Sequence, residues 1–266
     1  VSEPRFFCRT LHPGLIELDE TEARHARRSL RLRPGDAISL FDGCGRLARA
    51  RLAGAGSASA PDPVRAGSRS IPRRCLVFVE AVISVPPPAR TLTLITAACR
   101  GSRLDWMIEK CTELGVTRIV LAAFERSVVR PAGGTGEKLA RTALEACKQC
   151  RRVWLPEIAV GASLTEVIGP FCTPPVSVAA SACPRHPSLL VCEPQSSLSL
   201  AGWLHAHSGE LRHLAAVIGP EGGLSDTERA MLSQAGAQPV RLAEHILRVE
   251  TAAVAVAANW AARGET

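Results

Sequence analysis

Two hydrophobic periodicities divide the chain. From Arg5 to about Ile83 apolar and polar residues alternate in short runs, RFFCRTL, DAISLFDG, RLARARL and RCLVFVEAVI, each closed by turn residues. Alternation with period two predicts half-buried strands, and so a small β-rich domain over residues 1–85. HARRSLRLRPGD interrupts it as a short helix or turn that gathers Arg27, Arg28, Arg31 and Arg33. Residues 54–74, GAGSASAPDPVRAGSRSIPRR, are small, polar and proline-containing, which predicts a disordered insertion in a hairpin. SVPPPAR, residues 84–90, reads as a stiff linker because consecutive prolines favour extended geometry.

Over residues 90–266 the pattern becomes strand, helix, strand, helix. TLTLITAA is a buried strand, and SRLDWMIEKCTELGV puts Leu104, Ile108, Cys111 and Leu114 on one helical face before Gly115 stops it. TRIVLAAF is a strand, and EKLARTALEACKQC a helix with Leu139, Ala143, Ala146 and Cys150 inward. VSVAAS, SLLVCE, HLAAVIG and QPVRLA follow as short buried strands, and TAAVAVAANWAAR as a last, alanine-rich helix. The alternation predicts an α/β domain with a largely parallel sheet covered on both faces.

Length and charge sharpen this division. A chain of 266 residues allows one large or two modest domains. Residues 1–80 hold 14 Lys and Arg against 9 Asp and Glu, the remainder 18 against 16. A basic lobe beside a near-neutral one fits a nucleic-acid grip attached to a chemical domain. Arg outnumbers Lys 29 to 3, so compositional bias fits as well. No apolar stretch reaches the roughly 18 residues a membrane helix needs. The ten cysteines lack framework spacing, and Cys99, Cys111 and Cys192 sit in apolar segments, which predicts buried free thiols. Cys147-Lys-Gln-Cys150 has no second pair at zinc spacing, so no metal is expected. The first residue is Val, which suggests a processed or trimmed start, and no signal-peptide core is present.

The unusual chemistry lies in AAVIGPEGGLSDTERAML, residues 215–232. Ser225-Asp-Thr-Glu228 has capping-box spacing, so the glycines occupy the loop between a strand's carboxyl end and a helix. Ligands bind at that position in open α/β sheets. The loop has neither GxxxxGK[ST] nor GxGxxG spacing, which argues against a P-loop or a Rossmann dinucleotide site. Glycines there let backbone approach a flat ligand, or serve only a tight turn. A second stretch, LAEHILRVETAA, residues 242–253, places Arg248 and Glu250 where a helix begins, as site residues or as a surface ion pair.

In order along the chain, DWMIEKCTELGV, EACKQCRR followed by LPEI, VIGPEGGLSDTE and HILRVETAA resemble the RsmE family of ribosomal RNA uracil-N3 methyltransferases, of the SPOUT class. RFF, RSLRLRPGD and LFDG extend the resemblance into the basic domain. It implies a PUA-like β domain for RNA, then a SPOUT α/β domain with a C-terminal trefoil knot and S-adenosyl-L-methionine held by the knot loops. The residues implied for the cofactor are Ile218, Gly219 and Gly223 of one loop, Leu242, Ala243, Ile246 and Leu247 of another, and Cys192 and Glu193 of a third. A homodimer is implied, acting on ribosomal RNA or the small ribosomal subunit, with no membrane. The family pattern carries a glycine and an arginine where this chain has Ala243 and His245.

The reaction implied is displacement of a sulfonium methyl group by uracil N3. Arg248 is the candidate to stabilise charge on the base, and Glu250 to orient that guanidinium or accept the N3 proton. Arg28, Arg31, Arg103, Arg126, Gln149 and Arg152 fall at polar motif positions and are candidates for RNA or dimer contact. The alternatives are a SPOUT enzyme with another RNA target and a non-catalytic RNA-binding assembly factor. The compartment is the cytoplasm for a bacterial protein, or chloroplast or mitochondrion for a eukaryotic one whose transit peptide has been removed.

Overall fold

The computed structural model describes residues 3–53, 75–129, 133–172, 188–209 and 211–263. The expected insertion at 54–74 and the expected strand VSVAAS, residues 176–181, lie outside them. The chain forms two units, Val1–Pro87 with Cys147–Trp154, and Pro88–Ala146 with Leu155–Thr266.

Alternation builds the sheet of the first unit. Strands β1 (Arg5–Phe7), β2 (Gly14–Leu18), β3 (Ala37–Phe41), β4 (Arg46–Leu52) and β5 (Cys75–Ser84) pair in the order β1-β3-β4-β5-β2. The β1–β3 pair is parallel and the other pairs are antiparallel. Inward residues Phe6, Ile16, Leu40, Ala48, Ala50, Val77 and Val79 form the core. Helix α1 (Glu20–Arg24) starts at Asp19, whose Oδ1 accepts from the Glu22 amide at 2.8 Å. It continues into a π-helical turn, His25–Ser29, and the two segments add Ala23 and Ala26 to the core. Lys148 donates to the buried Glu22 carboxylate, so Cys147–Trp154 is anchored within this unit. Trp154 donates from Nε1 to the Val85 and Pro86 carbonyls at 3.2 and 3.0 Å. A Cβ on Gly45 would fall 2.3 Å from the Trp154 ring, which restricts that position to glycine.

The second unit is a six-stranded parallel sheet. Its strands are β6 (Thr91–Thr96), β7 (Arg118–Ala123), β8 (Glu157–Ser163), β9 (Ser188–Cys192), β10 (His213–Ile218) and β11 (Gln238–Val240), in the order β11-β9-β10-β6-β7-β8. Successive residues of one strand enter opposite cores: Leu214, Ala216 and Ile218 one, Ala215 and Val217 the other. This two-sided burial is why the strand reads as an unbroken apolar run. Helices α2 (Ser102–Glu113), α3 (Thr135–Cys150), α5 (Leu200–Ala206) and α7 (Val249–Ala261) contribute to the first core. Helices α4 (Leu164–Cys172) and α6 (Asp226–Gln234) contribute to the second. On α3 the expected Leu139, Ala143 and Ala146 are buried, while Cys150 is only half-buried and Cys147 is fully enclosed.

Cys8, Cys44, Cys75, Cys99, Cys111, Cys147, Cys150 and Cys192 are free thiols. Among the described residues no group of His, Cys, Asp and Glu is arranged to hold a metal, and no helix is long and apolar enough to cross a membrane.

Candidate active site

Adjacent parallel strands β11, β9 and β10 end at the same edge of the sheet, and the loops leaving them surround a cavity of about 210 Å3. The β9 loop contributes Cys192, Glu193 and Pro194; the β10 loop contributes Ile218, Gly219, Pro220, Glu221, Gly223 and Leu224. The β11 loop adds Leu242, Ala243, His245, Ile246 and Leu247, and Val249 and Ala252 of α7 complete the wall. The nine residues named for the cofactor thus share one cavity. The sequence reading leaves out Pro194, Pro220, Glu221, Leu224, His245, Val249 and Ala252 as wall residues, although all lie within or beside the named motifs.

The glycines serve distinct purposes. Gly223 has φ +72° and donates its amide to the Pro220 carbonyl at 2.8 Å, closing a turn that a β-branched residue would strain. A Cβ on Gly222 would press on Arg126, 3.2 Å from its Cβ and 3.4 Å from its carbonyl oxygen. Arg126 also donates from Nη1 to the Gly222 carbonyl at 3.3 Å. The capping box is formed: Ser225 Oγ accepts from the Glu228 amide at 3.1 Å, and Glu228 Oε2 accepts from the Ser225 amide at 2.8 Å. The second oxygen, Glu228 Oε1, accepts from the Glu125 amide at 2.8 Å. One buried carboxylate therefore ties the glycine loop to the loop after β7.

Charge at the cavity wall is organised by Glu193, which receives a hydrogen bond from Arg229 of α6. That bond raises the Arg229 pKa. Burial, with Glu193 adding, pushes the Cys192 thiol up to about 12, so it lines the cavity as a neutral group.

The two catalytic candidates are differently placed. Arg248 is exposed at the N-cap of α7, and its side chain makes no capping hydrogen bond. Glu250, in the first turn of α7, is 5% exposed. Its ion pair is with Arg103 of α2, Nη1 to Oε1 at 3.4 Å, whereas the sequence offers Glu250 to Arg248 or to the N3 proton and places Arg103 among the candidates for RNA or dimer contact. Glu250 Oε2 has no hydrogen-bond partner among the described residues. Burial, together with the Glu250 charge, pushes the nearby Cys99 thiol up to about 11.

Of the RNA candidates, Arg28, Arg31, Gln149 and Arg152 belong to the first unit, and Arg103 and Arg126 to the second. Arg28, Arg31 and Gln149 are exposed, while Arg152 is half-buried and burial lowers its pKa.

Residues 86–261 match the model of an RNA methyltransferase domain, and residues 18–60 that of an RNA methyltransferase PUA domain. The chain belongs to this RNA methyltransferase family. The ribosomal RNA small subunit methyltransferase E of Synechocystis is 31% identical over 89% of this chain and 69% of its own length. The Mycobacterium bovis protein of the same name is 31% identical over 89% of this chain and 82% of its own. The crystal structure of a ribosomal RNA small subunit methyltransferase E from Neisseria gonorrhoeae, bound to S-adenosyl methionine, superimposes with a TM-score of 0.74 at 26% identity. It covers 97% of this chain and 96% of that one.

Proposed function

We propose that this chain is an S-adenosyl-L-methionine-dependent methyltransferase that modifies N3 of a uridine in small-subunit, 16S-type ribosomal RNA. The observation that carries the proposal is the convergence of three motif-bearing loops on one cavity. The names of the relatives and the cofactor in the Neisseria structure support it. The wall suits such a cofactor. Backbone at Gly219 and Gly223 is bare of side chains, while Ile218, Leu242 and Leu247 offer apolar surface to a ring. Glu193 and Glu221 offer carboxylates to hydroxyl and ammonium groups.

Bound there, the cofactor supplies an electrophilic methyl group. The chain's contribution is then mainly positioning of the acceptor base. Uracil N3 carries a proton that must leave before or during attack. Glu250 is the proposed acceptor, with Oε1 held by Arg103 and Oε2 unpartnered among the described residues. Arg248 stabilises the negative charge that develops on the base. N3 lies on the Watson–Crick edge, so the target uridine is taken unpaired or flipped. Arg28, Arg31, Arg126, Gln149 and Arg152 contact the RNA.

A homodimer is part of this proposal. Ile246, at the cavity wall, is 82% exposed, and a second copy would cover it. The cavity loops are proposed to be threaded as a trefoil knot. The proposed compartment is the one that houses the ribosomes, the cytoplasm of a bacterium or the interior of an organelle.

The test is methyl transfer from labelled S-adenosyl-L-methionine to small subunits lacking the modification, followed by nucleoside analysis. The expected product is N3-methyluridine. Label on another nucleoside would overturn the target, and cofactor binding without transfer would favour a non-catalytic RNA-binding factor.

A further inference from the structure

The outer face of the five-stranded sheet carries side chains that methyl transfer does not use. Phe78 lies in β5, paired on both sides, at an outward position where alternation normally places a polar residue. It is 51% exposed. The register sets Arg51 of β4 opposite it on one side and Leu15 of β2, 42% exposed, on the other. Arg49, the next outward residue of β4, stands opposite Ala81 and Ser39. Arg51 is fixed beside the ring: its Nε donates to Glu80 Oε1 at 3.0 Å and its Nη1 to the Gly35 carbonyl at 3.2 Å. The arrangement is an exposed aromatic ring flanked in register by Leu15 and by Arg51, which is paired with Glu80, with Arg49 farther along β4 between Ser39 and Ala81.

Single exposed apolar residues are ordinary on protein surfaces. This one differs because a second exposed apolar side chain and an arginine flank it in register. A protein or lipid partner would be served by a wider apolar patch, whereas an aromatic face bordered by arginines matches the alternation of base and phosphate in a single strand. We propose that this face is a stacking platform for an unpaired RNA base, with Phe78 under the base and Arg49 and Arg51 meeting the adjoining phosphates. The platform rests on the RNA-substrate reading above and deepens it by assigning a second RNA contact surface within the β-rich unit.

The experiment measures anisotropy of a labelled single-stranded oligouridylate of about twelve nucleotides, titrated with the full chain at several salt concentrations. Phe78→Leu keeps apolar bulk but removes the π face, and should weaken binding by roughly 5- to 150-fold, the range for loss of one stacked base. Phe78→Trp should bind at least as tightly as the wild type. Arg49→Ala should lower the slope of log affinity against log salt by about 0.7, the single-strand value per phosphate. Melting curves and cofactor titration confirm that each variant is folded. Wild-type affinity in Phe78→Leu overturns the platform alone. Failure of the wild-type chain to bind the oligouridylate while it binds cofactor also overturns the platform, whereas the RNA-substrate reading falls only if small subunits take no methyl group.

Discussion

Arg103 Nη1 lies 3.4 Å from Glu250 Oε1, so the first turn of α2 holds the one acidic side chain in the first turn of α7. The carboxylate is buried while the guanidinium is half-exposed, which leaves Arg103 able to meet a substrate and Glu250 able to fix where it points. Glu250→Gln should lower kcat by roughly 10²- to 10⁴-fold, the usual worth of a proton acceptor, and leave cofactor affinity within about threefold. Single-turnover methylation alongside cofactor titration checks this. An equal loss in both would mean the residue only supports the fold.

Glu228 is the clamp of the glycine loop. Its two oxygens accept from the Ser225 and Glu125 amides, both at 2.8 Å. In Glu228→Gln the amide group has a single acceptor oxygen, so one buried N–H loses its partner. The expected cost is about 1–3 kcal/mol. Urea unfolding should show a lower midpoint at unchanged slope, with weaker cofactor binding because the loop is no longer held.

Features legible in the sequence were those set by near neighbours. The Ser225–Glu228 capping box spans one helical turn, and Gly115, at φ +83°, stops α2 where expected. Strands with both faces buried announced themselves as apolar runs. The strand β8 did not: its residues are half-exposed or exposed, so EIAVGAS has no strong period. Nor did the short β2, whose alternation GLIEL follows Pro13 directly. The Arg103–Glu250 and Glu125–Glu228 contacts join residues 147 and 103 positions apart, and no local pattern encodes them. Periodicity marks α3 as a single helix but not that its last residues, from Cys147, belong with the β-rich unit.

Arg31 is a non-glycine residue at φ +52°, immediately after the residue that caps the π-helical turn. Left-handed backbone costs an L-residue about 1–2 kcal/mol, and glycine returns about 0.5–1 kcal/mol of that as unfolded-chain entropy. Arg31→Gly should therefore stabilise the chain by about 0.5–1 kcal/mol. If the arginine is kept for RNA, affinity for RNA falls in the same variant, and opposite signs in melting and binding measurements are the expected outcome.

Buried thiols set an alkaline limit. Burial raises Cys111, Cys147 and Cys192 from their ordinary 9.0 to about 12, and Cys99 to about 11. Well below pH 9 these thiols are protonated whether the chain is folded or not, and they contribute no pH dependence. Above it the unfolded chain loses protons that the folded chain keeps, so stability falls as pH rises from about 9 towards 12. Urea midpoints at pH 8 and pH 10 check the sign, with a lower midpoint expected at pH 10. In the folded chain at pH 8, a thiol reagent should label the exposed Cys44 well ahead of the buried thiols.

The most direct test of the account is calorimetric titration of S-adenosyl-L-methionine into the purified chain, repeated with Gly223→Val and Ala243→Gly. Valine at φ +72° would strain the turn at the cavity, whereas glycine at 243 only removes a methyl group from its wall. The expected results are saturable binding to the wild type, loss of binding in a folded Gly223→Val chain, and retained or tighter binding in Ala243→Gly. A folded wild-type chain that gives no binding, or a Gly223→Val chain that binds as the wild type does, would contradict the account.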